Sequence, residues 1–314
     1  MTGIIKKYYY FSVALAILGA LQILSTAGIC QENEKKYTEQ QYRDALNILD
    51  PNRLDPKTDP DIDMFISHWK QSGLQTEYGG LILRDILTRL EGDPLKPVRQ
   101  GAVLQFVNRL SYATLERHSV TNRTTLKDEQ LYLYIDKGTG SIEGADQQLD
   151  LHSGVGVLIP AGVEFSMRNV SDEDLKLYLI SEPVPKGFVP SKRLHYSDEN
   201  TMPAFLTGHW WHIVRPFFRD AESRKAMAVI TGYSPVWFDP MTLGQPHSHK
   251  AEDEEVWFLV EGDLVLLLGK ELRRLEPGSA YKIPPNGTTP HSNINVTDHD
   301  VKMVWFMKST PPAK

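Results

Sequence analysis

Three histidines and a carboxylate stand in this 314-residue chain at spacings that could hold one metal ion. The first group is Pro246-His247-Ser248-His249, followed by Glu254-Glu255-Val256-Trp257-Phe258-Leu259-Val260-Glu261-Gly262. The second is Gly287-Thr288-Thr289-Pro290-His291-Ser292-Asn293-Ile294-Asn295. On an extended strand, residues i and i+2 share a face, so His247 and His249 project together while Ser248 turns away. The charged stretch Lys250-Ala251-Glu252-Asp253 reads as a turn, after which the chain returns with a carboxylate. Imidazoles plus one carboxylate suit Fe(II), Mn(II), Zn, Ni or Cu, and no thiolate is present to single out one of them. Four protein ligands leave positions open for water or substrate, the mark of a catalytic site.

The elements that must position these groups are short and β-rich. Ala102–Leu110, Gln130–Asp136, Val155–Ile159 and Leu175–Ile180 are bounded by Gly, Pro, Asn and Asp. A linker rich in Pro and charge follows at 184–204. The same grammar then returns in Ala226–Phe238, Val256–Val260, Leu264–Leu268, Tyr281–Ile283 and Val301–Phe306. The expected class is all-β, an antiparallel sandwich or barrel made twice. The duplication also shows in Gly154, Pro160, Gly162, Phe165 and Asn169, which run parallel to Gly278, Pro284, Gly287, His291 and Asn295.

Those residues resemble the two signature motifs of the cupin superfamily. The resemblance implies two tandem cupin (jelly-roll-like) β-barrels, at 99–183 and 205–314. It implies metal ligands at His247, His249, Glu255 and His291. Glu254 stays open as the alternative carboxylate: it fits the gap after His249, whereas Glu255 fits the gap before Gly262. In the first repeat Phe165 stands where His291 does, and Arg123 and Thr125 fall at the expected His-x-His positions, so that barrel should have lost its ion. The family's chemistries leave three roles open: a mononuclear dioxygenase with Fe(II) favoured, a lyase, isomerase or decarboxylase of sugar-acid type, or a non-catalytic module binding a small ligand. Trp257, Tyr233 and His212 are the candidate substrate contacts. His212 closes the run His209-Trp210-Trp211-His212, whose large rings suit inter-barrel packing or a pocket entrance.

The N-terminal third reads differently. Lys6 and Lys7 precede an apolar stretch from Tyr8 to about Leu24, and small residues then lead into a polar run. That order is a secretory signal peptide over residues 1–30, or an uncleaved N-terminal anchor, and predicts a periplasmic or secreted protein. The only cysteine, Cys30, lies at this boundary, so no disulfide framework exists. Residues 31–98 read as a helical extension: Tyr37–Leu49, Met64–Lys70 and Leu81–Leu90 each space apolar residues in a helix-like way. A net charge of −6 with no Lys/Arg stripe argues against a nucleic-acid partner. The expected partners are a small-molecule substrate and, in view of how cupin barrels pair, a second copy of the chain.

Overall fold

The computed structural model describes residues 60–206 and 212–309. The expected signal or anchor segment, Cys30, the expected Tyr37–Leu49 helix and the residues His209, Trp210 and Trp211 lie outside them. Among the described residues the fold is almost entirely antiparallel β, with one short α-helix, Ala221–Ala226. No helix there is long and apolar enough to cross a membrane.

Two large sheets carry the architecture. The first barrel's sheet runs, in spatial order, His195–Asp198, Val155–Ile159, Glu129–Lys137, Leu175–Pro183, Arg109–Leu115, Leu81–Arg89 and Gln75–Glu77. The second barrel's runs Ile66–His68, Ser279–Lys282, Glu254–Glu261, Val301–Lys308, Gly232–Phe238, His212–Val214 and Phe205–Leu206. A smaller sheet closes each barrel, containing Glu164–Asn169 in the first and His291–Asn295 in the second. The matching order shows the duplication in space. Both long central strands carry a register shift at the same place, between Ile135 and Lys137 and between Leu259 and Glu261. Each then turns through a glycine at positive φ, Gly138 or Gly262, where a side chain would be strained.

The barrels exchange their leading strands. Ile66–His68 precedes the first barrel yet pairs with Ser279–Lys282 of the second, Ile66 opposite Tyr281. His195–Asp198 precedes the second yet pairs with Val155–Ile159 of the first, Leu158 opposite His195. Edge strands that would otherwise present open hydrogen-bonding groups are thereby covered.

This corrects the expected helical extension over 31–98 wherever it is described. Ile62–Phe65 and Trp69–Gln71 are single 3-10 turns flanking a strand, and Leu81–Arg89 is a full strand of the first barrel. That barrel therefore begins near Gln75, well before residue 99. The cause is a bulge between Asp85 and Leu87. It flips the side-chain parity mid-strand, so Leu81 and Leu83 enter the first barrel while Ile86 and Leu87 enter the inter-barrel core. Two faces joined by a bulge mimic a helical stripe. In the second repeat, only Gly232–Phe238 of the expected 226–238 strand is extended.

The apolar core has two parts. One fills the first barrel with Leu131, Leu133, Phe165 and Met167 among others. The other runs from the inter-barrel seam into the second barrel, where Tyr178 packs on Phe258 at 4.4 Å between ring centroids and donates its hydroxyl to Leu259 O at 3.0 Å. Aromatic pairs of this kind add about 1 kcal/mol beyond the area they bury.

Candidate metal centre

His247 lies in extended chain, paired backbone to backbone with His291: His247 N donates to His291 O at 3.3 Å and His291 N to His247 O at 2.9 Å. This two-residue bridge ties the His-x-His run to strand His291–Asn295. The nitrogens offered by His247, His249 and His291 lie within 4.8 Å of one another. His247 Nδ1 sits 2.9 Å from Gln245 O, and His291 Nδ1 sits 3.1 Å from His247 O. These carbonyls take the Nδ1 protons and so turn Nε2 of both rings, as the lone-pair nitrogen, toward the centre. Below them Tyr281 donates to Asn293 at 3.0 Å, bracing the strand two residues past His291.

The carboxylate beside these rings is that of Glu255. Its Oε2 lies 2.7 Å from His249 Nε2 and its Oε1 3.4 Å from His291 Nε2. Trp257, next on the same face, donates Nε1 to Oε1 at 2.6 Å. Glu254 points the opposite way, as strand alternation requires. It is fully buried in the seam and accepts from the backbone N–H of Gln105 at 2.5 Å, Phe106 at 3.2 Å and Val107 at 3.1 Å. Lys282 stands near it and donates to Gln105 Oε1 at 3.0 Å. The two adjacent glutamates thus have separate tasks, one beside the histidines and one joining the barrels.

Electrostatics separate them too. Burial pushes the Glu255 carboxyl up, but the His249 hydrogen bond and the adjoining imidazoles outweigh it, leaving Glu255 well below the usual carboxylate range. Burial raises Glu254, and its cation and backbone donors only partly offset that. Burial brings Lys282 down to about 8 against the pull of Glu254. Burial, and then the neighbouring His291, hold His247 down at about 4. Burial pulls His249 down as well, but the Glu255 hydrogen bond and charge reverse it, so its net shift is upward.

A cavity of about 160 Å³ opens against His249 and Glu255. Val214, Val236, Trp257, Trp305 and Met307 wall it together with His212, whose buried ring packs 4.0 Å from that of Phe238. Trp257 and His212 therefore meet the site. Tyr233 does not: it lies in the seam against Tyr132, Phe217 and Phe218, because odd positions of Gly232–Phe238 face the sister barrel. The wall residues Val214, Val236, Trp305 and Met307 escape sequence reasoning. They come from three strands, and only pairing places them on one face.

The first barrel has no such centre. Phe165 is buried at the position of His291, and it pairs with Thr124 as His291 pairs with His247. The His-x-His positions are thus Thr124 and Leu126, one residue later than Arg123 and Thr125, which are exposed. Counting back from the matched bulges puts Leu131 where Glu255 stands. None of these positions offers an imidazole or a carboxylate, and the barrel beside them is packed with hydrocarbon.

The donors in the second barrel fit a divalent transition ion. Each imidazole supplies one nitrogen, two have their tautomer set by backbone carbonyls, and a charged carboxylate adjoins.

The Cupin domain family model matches residues 236–307. The putative glyoxylate-induced protein of Pseudomonas aeruginosa has a similar structure, with a TM-score of 0.59 at 14% identity over 77% of this chain and 86% of that one. An oxalate decarboxylase of Bacillus subtilis gives 0.59 at 12% over 81% and 80%. Vicilin from Corylus avellana (hazelnut) gives 0.59 at 13% over 78% and 85%. A sequence search of the curated proteins gives no match. Residues 236–307 match the Cupin domain, and the fold of the described residues is that of two cupin-like barrels. At these identities the likeness to solved structures is one of fold.

Proposed function

We propose that this protein is an exported, metal-dependent dioxygenase acting on the apolar part of a small molecule, with His247, His249, Glu255 and His291 as the ligands of one ion. The observation that carries this reading is the wall of the adjoining cavity. It is almost wholly hydrocarbon and indole, and among its described residues there is no Lys or Arg. The ion could take one carboxylate, but the second carboxylate of a dicarboxylate or the hydroxyls of a sugar acid would then lie against this wall without polar partners. A neutral, apolar reacting group needs none.

A redox-active divalent ion, Fe(II) foremost, would supply the electron transfer that dioxygen chemistry requires. The chain's own part is to hold and shelter that chemistry. Glu255 offsets cationic charge in a site with little water to screen it. His247, neutral down to about pH 4, stays available as a ligand throughout the physiological range. Trp257 fixes the carboxylate through its indole N–H. Val236, Trp305 and Met307 keep water from the reacting carbon. The basic start and apolar run of residues 1–30 support export, which cell fractionation tests directly.

Metal content of protein purified without chelators, compared with His247→Ala and His291→Ala, tests the ligand set. Equal content in all three removes it. Oxygen uptake by the Fe(II)-loaded chain with catechols, diketones and flavonoids tests the reaction. Turnover that proceeds unchanged under strict anaerobiosis rules out the oxygenase reading and returns the site to lyase or decarboxylase chemistry.

A further inference from the structure

We propose that a groove outside Trp305 is a second subsite of the same centre, seating the carboxylate end of an elongated apolar substrate whose neutral end reaches the cavity beside Glu255. This rests on that cavity being the place of reaction. The groove measures about 720 Å³ and the inner cavity about 160 Å³, and Val214 and Trp305 bound both. These two side chains line both spaces, so a molecule laid along them would touch each. Trp305 lies directly on Gly232, where a Cβ would come within 2.7 Å of the indole, so the absence of a side chain there sets the ring's position.

The groove's floor is apolar, with Phe217, Phe218, Met227 and Ile230. Its rim carries two cations, Arg219 and Arg224. The Arg219 guanidinium lies 4.3 Å from the centre of the Phe205 ring, which leaves its N–H edge available. Among the described residues neither guanidinium pairs with a carboxylate. The two nearest in sequence are engaged elsewhere: Asp220 caps the Ala221–Ala226 helix through Glu222 N and Ser223 N, and Glu222 lies 3.6 Å from Arg193. Two guanidinium groups over an apolar floor complement a carboxylate on a hydrocarbon body. The inner cavity, with no cation on its described wall, complements the uncharged end. The succession from cationic rim to apolar floor to ligand cluster therefore orients a molecule by its charge.

Calorimetric titration of the full chain, stripped of metal with chelator, tests this with decanoate and decanol as probes. The native chain is expected to bind decanoate at least about tenfold more tightly than decanol, the worth of one or two charge-assisted hydrogen bonds. Arg219→Gln/Arg224→Gln should abolish that preference and leave decanol affinity as it was. Both arginines are exposed, and circular dichroism confirms that the fold is kept. Val236→Phe fills the inner cavity alone, and should weaken decanoate several-fold while sparing the shorter hexanoate. No preference for decanoate in the native chain, a preference that survives the double substitution, or indifference of decanoate to Val236→Phe each overturns the proposal. Because no metal is present, none of these results depends on whether the histidines bind an ion.

Discussion

The indole Nε1 of Trp257 donates a 2.6 Å hydrogen bond to Oε1 of Glu255, two residues back on the same strand. Strand alternation brings the pair to one face, and Glu255 already meets His249 and His291 there. Outer contacts of this kind hold a ligand in its productive orientation and are worth 10–100-fold in metal affinity. Trp257→Phe keeps the ring's bulk and deletes the donor. It should weaken metal binding about tenfold, read by competition with a chelating dye, while the metal-free chain remains folded. Unchanged affinity would reduce Trp257 to a wall of the cavity.

Glu254 and Glu255 are neighbours with opposite surroundings, and substitutions should separate them. Glu255→Gln removes the charge beside the histidines and should cost at least about tenfold in metal affinity. Glu254→Ala should leave metal stoichiometry intact yet cost about 3 kcal/mol of stability, since it strips three backbone N–H groups of their acceptor and leaves buried Lys282 without its countercharge. Metal analysis beside thermal melting reads both. The opposite pattern would reassign the ligand.

The difference between these glutamates marks how far the sequence was legible. His247, His249 and His291 stand out because residue type, the i/i+2 rule and distance along the chain are all local facts. The two-barrel class was legible for the same reason, from short strands between turn residues. Where parity mattered, local reading failed. Gap lengths pointed equally to Glu254 and Glu255, and only pairing with Val301–Lys308 decides which faces inward. A bulge after Asp85 disguised a strand as a helix. A one-residue offset put Arg123 and Thr125 where Thr124 and Leu126 belong, and the same question of facing sent Tyr233 to the seam. Register is made by partners far along the chain, so a single sequence carries it weakly.

The histidines give metal uptake a defined pH dependence. His247 is held at about 4, against 6.5 for an unconstrained imidazole. In that interval the unfolded chain binds a proton that the fold does not, so the contribution of His247 to stability is present above 6.5 and lost as pH falls toward 4. His249 behaves oppositely: raised by Glu255, its contribution is full below 6.5 and fades as pH rises through the raised value. An ion needs both rings neutral. Its binding should therefore release a proton chiefly from His249, and affinity should fall as the solution is acidified through the raised His249 value. Calorimetry in buffers of different ionisation heat measures the release. A flat affinity with no proton released contradicts the pairing of His249 with Glu255.

Restoring one histidine should not restore the first centre. Phe165→His places an imidazole at the position of His291, but its neighbours there are Thr124, Leu126 and Leu131, none of which can complete a transition-metal site. The new ring would also enter a space packed with hydrocarbon, where Leu131, Leu133 and Met167 offer its nitrogens no hydrogen bond. Lost packing and an unsatisfied polar group together should cost about 3 kcal/mol. Metal per chain is expected to stay as in the native protein while the melting temperature drops, both read on the same preparation. A second equivalent of metal bound by Phe165→His would mean that the first barrel still holds ligands which the geometry assigns elsewhere.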